Sequence, residues 1–209
     1  MASVEQIKET VIKGRAPDVA SLVRQALEEG VSASVILNEG LCLGMNVIGE
    51  RFKKNEIFVP QVLLAARAMK HGTDILKPHL IADGVEPFAT AVVGTIKGDL
   101  HDIGKNLVCM MLEGAGFRVV DAGIGVAPEK FVELAREHGA AIVGVSALLT
   151  TTMVNMRGVV EAVRTAGLPA KVIIGGAPVT QAFCDEIGAD GYSPDAASAA
   201  ELATRLARE

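Results

Sequence analysis

The chain has 209 residues and a net charge of −5; half of it is hydrophobic, but aromatics are only 3% and tryptophan is absent. That supplies an aliphatic core for one large or two small domains. The absence of a basic tract, with too few aromatics to stack on bases, excludes nucleic-acid binding, and the longest apolar run, residues 140–149, is too short for the about 20 residues of a membrane span.

The opening Met-Ala-Ser-Val-Glu-Gln-Ile has neither the basic nor the apolar region of a signal peptide. From there to about residue 85 the only periodicity is helical. A short helix is expected near 4–12. Pro17 suits the first turn of a second, with Val19, Leu22, Val23, Ala26 and Leu27 on one stripe that stops at Gly30. Ser32 can cap a third, with Leu37, Leu41, Gly44, Ile48 and Phe52 as its apolar positions, and Pro60 starts a fourth that turns Val62, Ala65, Ala66, Met69 and Leu76 inward. Together they predict an antiparallel four-helix bundle. Gly40, Gly44 and Gly49 sit inside the third helix, where each costs about 0.5–1 kcal/mol relative to alanine. Gly40 and Gly44 clear one face, either for tight helix packing or for a flat ligand. Residues 77–87 read as a linker.

From about Phe88 strands and helices alternate. Strands are expected at 89–94, 117–121, 140–145, 171–174 and 190–192, and helices near 104–115, 128–138, 151–166, 178–187 and 195–207. Apolar runs without alternation imply strands covered on both faces, hence a parallel sheet. The expected fold is therefore α/β: a helical domain over residues 1–85, then a doubly wound, flavodoxin-like (Rossmann-like) five-stranded domain over 86–209. Cys42, Cys109 and Cys184 are far apart and never in Cys-x-x-Cys spacing, which fits a reducing cytoplasm.

In such a sheet ligands sit beyond the carboxyl ends of the strands, where the winding reverses. Three loops converge there. The first strand leads into Asp99-Leu100-His101-Asp102-Ile103-Gly104, the third into Ser146-Ala-Leu148-Leu-Thr150-Thr-Thr152, and the fourth into Gly175-Gly176. Asp99 stands where it can hold one nitrogen of His101 and leave the other for a metal. One histidine cannot build a zinc site, which needs three or four ligands. A metal at His101 would therefore arrive with its other positions filled, as in a macrocyclic cofactor. His71, His79 and His138 read as helix-end or linker surface residues. Nucleotide motifs fail: Gly98-x₅-Gly104-Lys105-Asn106 is one residue too long for a P-loop and lacks its Ser or Thr, Gly123-Ile-Gly125 lacks a third glycine, and Ser146 has no flanking glycine pair for a hydrolase elbow.

These elements resemble the cobalamin-binding proteins, whose signature is Asp-x-His-x-x-Gly, then Ser-x-Leu, then Gly-Gly. Here 41 residues separate Gly104 from Ser146 and 26 separate Leu148 from Gly175, and both gaps suit the family. The helical region is similar to the family's cap through Gly49-Glu-Arg-Phe52 and Phe58-Val-Pro-Gln-Val62. The resemblance covers nearly the whole chain and is to the small corrinoid proteins of methanol, methylamine, glycine betaine and aryl methyl ether methyltransferase systems. It implies a cobalamin or related corrinoid bound base-off, with His101 as lower cobalt ligand, Asp99 on the far imidazole nitrogen, and Thr152 in place of a relay serine. It also implies that Ser146, Leu148, Thr150, Gly175 and Gly176 border the nucleotide tail, and that Asp102, Ile103 and Gly104 complete the loop. The implied function is a methyl carrier between a substrate-specific methyltransferase and one serving tetrahydrofolate or coenzyme M, with a reductive activase as third partner and a mobile cap over the upper cobalt face. Such a chain is a subunit, not a complete enzyme. The alternatives within the resemblance are the binding subunit of an adenosylcobalamin mutase and a cobalamin-sensing regulatory module.

Overall fold

The computed structural model describes residues 3–209, so the first two residues of the amino terminus read above for a leader lie outside it. Two compact units divide the chain: one runs to Pro87 and includes Gly114–Gly116, and the other comprises Phe88–Glu113 and Phe117–Glu209.

The first unit is helical. Helix α1 (Val4–Ile12) opens on a reciprocal cap in which the Ser3 hydroxyl accepts from the Gln6 amide and the Gln6 side chain accepts from the Ser3 amide. Helix α2 (Ala16–Glu28) takes Pro17 in its first turn and buries Ala16, Val19, Val23 and Ala26. The third helix is composite: α3 (Ala33–Val35), capped by Ser32, passes into a π-helical segment (Ile36–Cys42) and then α4 (Leu43–Lys53). Its glycine face answers the choice left open by the sequence. A Cβ on Gly40 would stand 3.1 Å from Ile7, and one on Gly44 2.9 Å from Val11, so the glycines admit α1 and serve helix packing. Helix α5 (Val59–Ala82) takes Pro60 in its first turn and continues through Pro78 to Ala82. The linker expected from residue 77 is thus shorter than its composition suggests. Gly72 on α5 lets Leu41 and Val19 approach to within 2.9 and 3.1 Å of where its Cβ would be.

The second unit is a five-stranded, all-parallel sheet in the order β2-β1-β3-β4-β5, formed by β1 (Thr90–Ile96), β2 (Arg118–Val126), β3 (Ile142–Ser146), β4 (Lys171–Gly175) and β5 (Gly191–Ser193). This is the flavodoxin-like strand order, and its winding reverses between β1 and β3. Between the strands run α6 (Ile103–Gly114), α7 (Pro128–Glu137), α8 (Thr150–Met153), α9 (Met156–Thr165) and α10 (Gln181–Ile187), with α11 (Ala196–Leu206) at the end. The core joins Val92, Val143, Val145, Val172 and Ile174 to Phe131, Met156 and Val160. Gly94 leaves room for Phe131, whose ring would lie 2.8 Å from a Cβ there.

Two elements differ from expectation. Strand β2 runs five residues past its expected end, because the Gly123/Gly125 pair makes bulges instead of a turn; Val93 pairs with Asp121 but Gly94 with Gly123, and Ile96 with Val126. The helix expected over 151–166 is broken at Val154–Asn155, where the exposed Asn155 donates from Nδ2 to the Lys97 carbonyl at 3.1 Å.

Candidate functional site

At the β1–β3 switch point the loop after β1 places Asp99 beneath His101. Asp99 is fully buried and collects five contacts. Its Oδ1 accepts from the His101 amide at 3.1 Å and stands 2.7 Å from His101 Nδ1. Its Oδ2 accepts from the Leu148 and Leu149 amides at 2.8 and 3.2 Å and from the Thr152 hydroxyl at 2.7 Å. Burial alone would raise the Asp99 pKa, but the Thr152 hydroxyl, the Leu148 amide and the His101 ring and amide together hold the carboxyl well below the usual range. An ionised carboxylate can only accept, so Nδ1 donates to it, and in the neutral imidazole this tautomer leaves the lone pair on Nε2. The His101 side chain itself is 51% exposed.

The loop is held by its backbone as well. The buried Thr95 hydroxyl donates to the His101 carbonyl at 2.8 Å, and the Gly125 amide to the Asp99 carbonyl at 3.0 Å. Neither Thr95 nor the Leu149 amide is distinguished by the sequence, and Gly125 stands out only as part of a failed nucleotide motif. Thr95 left one usable trace, a hydroxyl closing an otherwise apolar strand. Of the expected site residues, hydrogen bonds thus join Asp99, His101, Leu148 and Thr152. Ser146 and Gly175 are register partners at the ends of β3 and β4. Asp102, Ile103, Gly104 and Thr150 are exposed; Asp102 takes the Asn106 amide at 2.7 Å on its carbonyl, and so starts α6 without touching the Asp99 cluster. Gly176 has φ +121°, and a Cβ there would fall 1.8 Å from the Ala147 carbonyl oxygen. Only glycine fits.

The surroundings suit a large flat group with its own metal. Leu100 and Ile103 are each 72% exposed, and Ile124, Leu148 and Leu149 are also exposed, so apolar side chains project on the loops around the imidazole. Above Gly104 and Gly123 the space is open, with no atom within 4 Å of an added Cβ. Among the described residues no group of three or more His, Cys, Asp or Glu could hold a metal ion, so a metal bound by His101 must bring its other ligands. The thiols offer no alternative nucleophile: all are free, and burial pushes Cys42 up to about 11 and Cys109 to about 12. No helix of the described residues is long and apolar enough to cross a membrane.

Comparison with known proteins agrees with this chemistry. A family model described as a B12 binding domain matches residues 89–201, and a second of the same description matches residues 3–77. A corrinoid protein of Desulfitobacterium hafniense is 39% identical over 211 residues, covering 99% of this chain and 98% of the relative. Dimethylamine corrinoid protein 3 of Methanosarcina acetivorans is 40% identical over 212 residues, with 99% of each chain covered. The crystal structure of a methanol:cobalamin methyltransferase complex from Methanosarcina barkeri contains a chain that superposes with a TM-score of 0.87 at 28% identity, covering 98% of this chain and 79% of that one.

Proposed function

The chain belongs to the family of corrinoid proteins with a B12 binding domain, and from that premise we propose that it carries a methyl group between two methyltransferases, with His101 as the lower ligand of the corrinoid's cobalt. The observation that carries this reading is the half-exposed imidazole whose Nδ1 is locked on a buried, ionised Asp99. When bound, the corrinoid supplies a cobalt that takes up the methyl group from one partner and yields it to the next. His101 Nε2 is the donor atom the protein offers. Asp99 fixes its tautomer and orientation, and Thr152 with the Leu148 and Leu149 amides keeps the Asp99 charge in place. Ser146, Leu148, Gly175 and Gly176 would border the corrinoid's nucleotide tail, and Asp102, Ile103, Gly104 and Thr150 would complete the loops around it.

The relatives' names make methylated amines the first donors to try, and the acceptor enzyme serves either tetrahydrofolate or coenzyme M. The test is reconstitution of the corrinoid-free protein with hydroxocobalamin, gel filtration, and methyl transfer from methylated amines with cognate methyltransferases. One retained corrinoid per chain and partner-dependent demethylation are expected. A protein that retains no corrinoid would refute the proposal.

A further inference from the structure

Four residues after His101, α6 buries a charge. The Lys105 side chain is only 2% exposed, and its Nζ donates to Asp121 Oδ2 on β2 at 2.6 Å. Asp121 is half-exposed, so the pair must offset chiefly the cost of desolvating the ammonium, and stability alone is a weak reason for it. The other oxygen of Asp121 points to a second role. Oδ1 accepts from the Gly123 amide at 2.8 Å and so closes the first bulge of β2, where Ala122 has no register partner on β1. The second bulge follows at once, with Gly123 at φ +90° and Gly125 at φ +65°. It delivers the Gly125 amide to the Asp99 carbonyl at 3.0 Å. A continuous chain of bonds therefore runs from Lys105 through Asp121, Gly123 and Gly125 to the backbone of Asp99.

We propose that Lys105 is a positioning residue: by anchoring Asp121 it sets the bulged end of β2, and that end holds the Asp99–His101 loop in the geometry that presents the imidazole. Bulges re-aim the chain beside them, and the carboxylate that holds the first of these two is itself held by the Lys105 ammonium. The role in corrinoid binding rests on His101 being the ligand, but the positioning itself is measurable without a corrinoid.

Amide hydrogen exchange, followed by NMR on the corrinoid-free protein, separates positioning from plain stability. In Lys105→Met, the Gly123, Gly125 and His101 amides should lose at least about tenfold in protection relative to the β3–β4 amides, the signature of local opening. Val163→Ala, which opens a cavity at a buried position on α9, should lower global stability without that selective loss. Lys105→Met/Asp121→Asn removes both charges and guards against a single variant that fails to fold. Its unfolding midpoint should recover while the three amides stay exposed. Hydroxocobalamin affinity should fall about tenfold in both Lys105 variants, as for other residues that orient a metal ligand. Unchanged relative exchange in Lys105→Met, or protection that returns with stability in the double variant, would overturn the positioning role. Wild-type affinity with open amides would overturn its link to the ligand. If wild type itself binds no corrinoid, the proposed function fails, while the exchange data still decide what Lys105 does.

Discussion

Asp99→Asn changes one atom, and the structure fixes how the new amide must turn. Oδ2 meets three donors, the Leu148 and Leu149 amides and the Thr152 hydroxyl, whereas Oδ1 meets the His101 amide and a ring nitrogen that can change tautomer. The asparagine oxygen therefore stays toward Leu148, and its NH₂ turns to His101 Nδ1. There it donates, which moves the imidazole proton to Nε2 and removes the lone pair meant for cobalt. The His101 amide meanwhile faces a donor. A buried donor left unsatisfied costs about 1–3 kcal/mol, and bonds to a charged acceptor exceed neutral ones by about 1 kcal/mol each. With three such bonds to Oδ2, the sum is about 4–6 kcal/mol of folding stability. Corrinoid affinity should fall by about 10–100-fold, as for other groups that orient a metal ligand, and by less than in His101→Ala, which removes the ligand. Urea unfolding measures the first effect, hydroxocobalamin titration the second, and long-range ¹H–¹⁵N NMR of the imidazole the tautomer. An Asp99→Asn protein that keeps the proton on Nδ1 and binds within twofold of wild type would refute the reasoning.

Three further outcomes follow from the same contacts. Thr152→Val keeps the buried shape but removes the hydroxyl 2.7 Å from Asp99, and should cost about 1–3 kcal/mol in urea unfolding, while Thr152→Ser should be nearly neutral. Gly176→Ala must abandon φ +121° or displace the Ala147 carbonyl, which precedes the two amides that hold Asp99. Backbone strain alone gives about 1–3 kcal/mol, so a loss of at least that size is expected in denaturation, with weakened corrinoid retention; an unchanged midpoint would contradict it. The depressed Asp99 pKa makes its contribution to stability complete above the unfolded carboxyl value of about 4 and progressively lost as pH falls below it. Urea midpoints measured from pH 7 to pH 3 should therefore decline less steeply in Asp99→Asn than in wild type.

Much of this site could be read from the sequence because its chemistry is local. Asp99 and His101 are two residues apart, the change of period near Phe88 separates helices from strands, and Gly175-Gly176 marks a close approach that the Ala147 carbonyl explains. What stayed hidden depends on contacts across the fold. The Leu148 and Leu149 amides reach Asp99 over 49 and 50 positions of sequence, and backbone donors leave no trace in residue type. Lys105 and Asp121 are 16 apart; Lys105 stands out only in the rejected P-loop pattern, and nothing in the sequence ties it to Asp121. The end of β2 is expected at residue 121, short of Gly123 and Gly125, because glycines mark bulges as readily as strand ends. Gly40 and Gly44 were ambiguous for the opposite reason: a bare helix face looks the same whether a ligand or α1 covers it. Hydrophobic periodicity also gives no sign of the π-helical segment Ile36–Cys42, since seven residues of wider turn shift the pattern too little.

The most direct test of the central claim is isotopic. Uniformly ¹⁵N-labelled protein is loaded with unlabelled cobalamin, reduced to the cobalt(II) state and examined by EPR. If His101 Nε2 is the axial donor, the cobalt lines split into doublets from a spin-½ nitrogen that only the protein can supply, and the doublets vanish in His101→Ala. Triplets from the cofactor's own unlabelled base, or no nitrogen splitting in the wild-type protein, would contradict it.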